Sequence, residues 1–215
     1  MPIDKRRESK LIAAIYADVS GAGDADVEGR LRPALERLNQ LFAPAVAEPF
    51  AAGDAGRAGG ALADPAQVPL CISVLRESLA PLELRVGVGI GAVEQLRGSV
   101  ADGRDVYSVA RRALQLAVRD DGLCRYVGTG DAGDVLLGAL CRLVDPLIRA
   151  RTQKQWEAIA AYRELGHQRD VAARLGVTRQ SVGDRLSAGH RRAVEEADVA
   201  VATYLSYFRR QRLTP

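Results

Sequence analysis

The segment from Thr152 to Arg192, TQKQWEAIAAYRELGHQRDVAARLGVTRQSVGDRLSAGHRR, constrains this chain more than any other. Three helical patterns follow one another in it, separated by short breaks at Gly166-His167 and Gly176-Val177. Trp156, Ile159, Ala160 and Tyr162 recur at helical spacing in the first pattern. Val171, Ala172 and Leu175 give the second, Asp170 to Leu175, its apolar side. Gly176 suits the left-handed residue that ends a helix. Thr178 is placed to cap the third helix, its hydroxyl accepting an amide of the first turn. Val182 and Leu186 then point to the core, which leaves Arg179, Gln180, Ser181, Asp184 and Arg185 facing outward. This is the outline of a helix-turn-helix, a geometry that lays side chains in the DNA major groove.

Arg and Gln near the start of such a helix reach guanine or adenine edges, while Ser and Thr suit phosphates. The expected groove contacts are Arg179, Gln180, Ser181 and Arg185, with Arg174 and Thr178 near phosphates. Charge agrees. From Arg149 onward there are 13 Arg or Lys and 7 Asp or Glu, so a chain of net +3 carries +6 in its last third and about −3 before it. The stretch LGVTRQSVGDRL, Leu175 to Leu186, resembles the helix-turn-helix of sigma-factor region 4 and related bacterial regulators. Gly183 departs from that pattern, at a cost of about 1 kcal/mol relative to Ala in a helix. The competing reading is a small helical bundle that serves protein contacts as an adaptor.

Val194, Ala197, Val201, Leu205 and Phe208 continue at alternating three- and four-residue steps, with Tyr204 alongside. They predict a long amphipathic helix with a narrow seam. The seam either pairs with its twin in a homodimer or folds back on the N-terminal part. The dimer is the expectation, since two half-sites bind DNA better than one.

A chain of 215 residues accommodates two domains, expected at 1–148 and 149–215. Cys71, Cys124 and Cys141 stand singly in apolar surroundings, without a metal-type or disulfide-type spacing. Buried free thiols suit a reducing cytoplasm. The charged start Asp4-Lys5-Arg6-Arg7-Glu8 precedes only a short apolar run, so neither a signal peptide nor a membrane span is expected.

Upstream of residue 149 the pattern reads β-α-β-β-α-β-α-β, with strands at Leu11–Val19, around the Gly53-Asp54 hairpin, at Leu84–Gly91 and at Cys124–Val127. Helices are expected at Asp26–Phe42, Gln67–Leu79, Asp105–Arg119 and Asp134–Ile148, with a polar connection at 92–104. The fold class is α+β: a ferredoxin-like domain with extra elements, followed by an all-α helix-turn-helix domain. The glycines of Gly87-Val88-Gly89-Ile90-Gly91 are spaced G-x-G-x-G and open no helix, which predicts a strand facing a packed helix, not a dinucleotide loop.

The residues RVGVGIGAV and GRDVYSVARRAL resemble the matching segment of class III nucleotidyl cyclases. The whole layout, a palm domain and then a helix-turn-helix, resembles SatD-type bacterial proteins. The resemblance implies a divalent ion such as Mg held by two carboxylates, here Asp18 and Asp54, with a nucleotide as ligand. It sets Ser108 where cyclases carry an Asn and Arg112 where they carry an Arg. The pattern is incomplete at Ala55, which stands where the family's hairpin has an acid. Asp18 and Asp54 also read plainly as a strand terminus and a turn residue. The expectation is a transcriptional regulator whose palm is structural or senses a ligand, with a metal-dependent nucleotidyl transferase as the alternative.

Overall fold

Strand β1, Leu11–Ser20, is apolar on both faces because helices cover both. Alternate residues of a strand point to opposite sides. Ala13, Ile15, Ala17 and Val19 enter the main core, while Ile12, Ala14 and Tyr16 meet a smaller cluster with Val106, Tyr107 and Ala110. The structure is a computed structural model, and it describes residues 11–20, 24–93 and 105–213. After β1 come α1 (Asp24–Leu41), β2 (Val46–Ala52), β3 (Arg57–Leu62), α2 (Val68–Leu79), β4 (Glu83–Ala92), α3 (Val106–Arg119), β5 (Cys124–Val127) and α4 (Asp131–Arg149). Then follow α5 (Gln153–Leu165), α6 (Gln168–Leu175), α7 (Arg179–Ala188) and α8 (Arg191–Leu213). The expected polar connection falls largely on 94–104, outside the described residues.

The fold is mixed α+β. One five-stranded sheet has the order β2-β3-β1-β4-β5. It is antiparallel except for β4 and β5, which run parallel and are joined through α3. On the α3 side, Gly87 and Gly89 bring the helix onto the strand. A Cβ at Gly87 would stand 2.2 Å from Ala110 O and Leu114 N, and one at Gly89 2.5 Å from Val106 O. The G-x-G-x-G spacing thus serves helix packing, as expected.

Asp105 begins α3. Its carboxylate accepts from the amides of Tyr107 at 3.0 Å and Ser108 at 2.9 Å, and from the Ser108 hydroxyl. Burial pushes its pKa up, but these hydrogen bonds and the Arg111 charge outweigh burial and hold it below the ordinary carboxylate value. A depressed acid stabilises the fold above its unfolded pKa of about 4, and that contribution is lost as pH falls through the folded value. Asp105→Ala is therefore expected to cost about 1–2 kcal/mol at pH 7. Urea denaturation should show the gap to wild type narrowing below about pH 4.

Helix α8 takes the fold-back course, not the pairing of seams. Val201 and Leu205 lie in the main core, with Tyr204 and Phe208 packed against it, and Val194 joins Leu123 and Ile148 in a junction cluster. Asp198 accepts from the Ser73 hydroxyl at 2.6 Å, and Arg209 reaches Asp64 at 2.8 Å. The seam is folded back on the sheet layer, so it is not available to a twin. A narrow apolar stripe specifies that it must be covered, not by what.

The cysteines also differ from expectation. All three are buried and unbridged, but Cys124 of β5 and Cys141 of α4 are not isolated. The Cys141 thiol hydrogen-bonds with Cys124 and, together with burial, pushes the Cys124 pKa well up. Among the described residues, no helix is long and apolar enough to cross a membrane.

Candidate functional site

Helices α5, α6 and α7 share a core of their own, built from Ala158, Ile159, Ala161, Val171, Ala172, Val182 and Leu186. Each boundary has a local cause. Thr152 and Gln155 form a reciprocal capping box at the start of α5. Gly166 (φ 74°) and Gly176 (φ 64°) end α5 and α6 in the left-handed conformation that glycine adopts at little cost. The Thr178 hydroxyl accepts from the Ser181 amide at 3.1 Å and opens α7. Two expected core positions shift. Ala158 and Ala161 are the buried alanines of α5, and Ala160 is half-buried. Trp156 leaves this core for the junction with Leu123, Ile148 and Val194.

On α7, Arg179, Gln180 and Asp184 are exposed, while Ser181 and Arg185, expected to face outward, are half-buried. At 3.6 residues per turn, Arg179 and Arg185 lie about 120° apart around the axis. They flank the exposed face on opposite sides. Gly183 sits beside Gln168 of α6, with room for a Cβ 3.7 Å from that amide.

Many of the arginines around this unit are paired. Arg174, expected near phosphates, is bound to Glu164, which also takes Arg37 of α1 at 2.8 Å. The hydrogen bond from Arg174 is the largest cause holding the Glu164 carboxyl low. Arg191 pairs with Glu195 and lies over the Tyr162 ring at 4.5 Å, and Arg192 pairs with Glu196 at 2.8 Å. Among the described residues, Arg169, Arg179 and Arg185 have no acidic partner. Arg169 and Arg179 line one surface recess of about 540 Å³ with Tyr162, His167, Gln168 and the acid Asp170. Sequence reading missed Arg169. Its place in the first turn of α6, beside the start of the recognition pattern, is the signal that it belongs there.

The second candidate is the end of β1. Asp18 lies opposite Arg57 on β3 and Arg85 on β4. Side chains directly opposite on one face are neighbours at about 5 Å. A divalent ion at Asp18 would meet these two cations. Arg85 is further held by Glu83 at 2.8 Å and Asp121 at 3.2 Å. The hairpin turn does come to this end of β1, since Val19 N donates to Gly56 O at 3.1 Å. Asp54 is exposed in that turn, and Ala55, at φ 54°, follows it without a ligand atom. Ser108 is committed to Asp105 and also accepts from Arg111 at 3.0 Å, so it does not stand free for a ribose. Arg112 is exposed. Among the described residues, no group of three or more His, Cys, Asp or Glu side chains is placed to hold a metal ion. These residues do not fit a two-metal nucleotidyl transfer site.

The chain matches no protein-family model and no curated protein sequence. Among solved structures it is similar to a regulator of polyketide synthase expression from Bifidobacterium adolescentis. The identity is 16% over 94% of this chain and 86% of that chain, with a TM-score of 0.26.

Proposed function

We propose that the chain is a DNA-binding transcriptional regulator of the cytoplasm. In this reading residues 149–215 form the helix-turn-helix part, with α7 in the major groove and α8 returning to the sheet layer. Residues 1–148 are a ferredoxin-like palm of SatD type that is structural or senses a ligand. The observation that carries the reading is the recess where the Gly166-His167 turn and the start of α6 meet the start of α7, with Arg169 and Arg179, neither in an ion pair among the described residues, lining it beside Asp170. Arg179 and Gln180 read base edges, and Arg169 and Thr178 take phosphates. Arg185, on the opposite flank, takes the second edge of the groove with Ser181.

The test is selection of bound fragments from random duplex DNA, then titration of the enriched site. Arg179→Ala is expected to weaken that site by about 1–3 kcal/mol, and Arg169→Ala to weaken all sequences alike and lower the salt dependence. Unchanged affinity in both variants overturns the assignment.

The adaptor reading is favoured by the pairing of Arg174, Arg191 and Arg192 with acids, which leaves less positive charge on the surface. It expects no salt-dependent DNA affinity at all. A homodimer, where it forms, uses a surface other than the α8 seam. The exposed Val135, Leu136 and Leu143 of α4 are one apolar group that could serve. Light scattering of Leu143→Glu against wild type tests this, and an unchanged dimer rejects α4.

A further inference from the structure

A cleft of about 290 Å³ opens where the sheet layer meets α5. Arg76 of α2, Leu82 and Glu83 at the entry to β4, Arg149, Arg151 and Trp156 line it. The walls thus come from both the palm and the helical unit. Sites for small ligands favour such junctions, with volumes from about 300 Å³ upward.

Three guanidinium groups surround this space, and they are not equally served. Arg149 is fully engaged, with Glu83 at 3.2 Å and Asp121 at 3.0 Å. Arg76 is only 9% exposed, and its Nε has no partner. One of its amino groups donates to Leu123 O at 3.3 Å. Buried donors are almost always satisfied, and an unmet one on a charged group is costly. Asp145 and Asp198 face Arg76 from an adjoining smaller cavity of about 40 Å³, so its charge is offset from that side while Nε stays unmet. Arg151 donates to Gly189 O at 2.8 Å and lies over the Trp156 ring at 4.6 Å. It has no bonded acid, and burial pulls its pKa down to about 10.

We propose that this cleft is a binding site for a small organic oxyanion, a phosphate ester or a carboxylate. Its charged end sits between Arg76 and Arg151, and its apolar part lies beside Trp156, Pro81 and Leu82. Guanidinium forks suit both oxyanions, because their planar donors match two oxygens at once. An occupant touches α2 and β4 on one side and the first turn of α5 on the other, so its binding is felt by the unit that carries α7. The site is a candidate effector site. It holds whether or not α7 reads DNA.

Trp156 is the one tryptophan of the chain, so its emission reports on this cleft directly. The experiment titrates the full chain, without DNA, with inorganic phosphate, benzoate and adenosine monophosphate, each against sodium chloride at matched ionic strength. The expected result is a saturable change in emission that chloride does not reproduce. The ranking of the three anions tells a phosphate ester from a carboxylate. Arg76→Met and Arg151→Met are each expected to raise Kd tenfold or more, and the distant Arg192→Ala to leave it unchanged. If Arg76→Met fails to fold, the half-buried Arg151 decides. The proposal is overturned if none of the three anions binds by emission or calorimetry, or if Arg151→Met binds as tightly as wild type.

Discussion

Gly87→Val is expected to destabilise the protein by about 3 kcal/mol or more, although valine is a better strand former than glycine. Local preference and packing point in opposite directions here, and the distances decide between them. The added Cβ would lie 2.2 Å from Ala110 O and from Leu114 N, both backbone atoms of α3. Neither can turn away as a side-chain end would, so α3 must lift from the sheet. That helix buries Val106, Ala110, Ala113, Leu114 and Ala117, and lifting it loosens all five contacts. Overpacking in cores costs about 1–3 kcal/mol when side chains can adjust, and a clash with backbone belongs at or above the top of that range. Gly183→Ala is the matched control. Its Cβ has 3.7 Å to the nearest atom of Gln168, and removing a helical glycine is expected to gain up to about 1 kcal/mol. Urea denaturation of both variants checks the pair. A Gly87→Val protein as stable as wild type would falsify the seating of α3 on β4.

The two substitutions show what the sequence made legible. Spacing alone indicated that Gly87 and Gly89 face a helix, because glycine at every second strand position opens one face for close approach. The succession of strands and of the first four helices was legible, and the observed bounds of β1, β4, β5 and those helices lie close to those expected, while β2 and β3 were expected only as a hairpin around Gly53-Asp54. The partners of polar groups were less legible. Ser108 was set by resemblance where cyclases carry an Asn, yet Asp105 three residues earlier makes it part of a helix cap. Local capping chemistry could have revealed that. Arg174 was expected near phosphates, and it is paired within the chain. The fold-back of α8 was not legible either, since its seam states a need for cover and the sheet layer meets that need first. Ion pairs between elements far apart in sequence leave no periodicity, so they emerge only from the fold.

One such pair has the largest consequence for how the two parts of the chain hold together. Arg163 of α5 donates twice to Glu77 of α2, both contacts at 2.7 Å. The Glu77 side chain is 7% exposed and that of Arg163 is 26% exposed. Arg163→Met is therefore expected to cost about 3 kcal/mol, because it strands a buried carboxylate without its cation. Glu77→Gln should cost less. It leaves the more exposed partner behind, and Glu195 and Asp198 lie close enough to act on the Arg163 charge. Replacing both, as Glu77→Leu with Arg163→Met, should recover much of the loss, since a well-packed apolar pair matches a buried ion pair of similar volume. The order of stabilities in urea, with Arg163→Met lowest, is the prediction. Equal losses in the two single variants would place the pair at the surface energetically and reject it as a clamp. Hydrogen exchange adds the functional reading. In Arg163→Met the amides of α5 should exchange faster while those of β1 and β4 do not, because the clamp fixes α5 to α2 and the sheet has its own core. The clamp and the anion cleft share the α2–α5 junction, so an occupant of the cleft acts on the same contact that sets how rigidly α7 is presented.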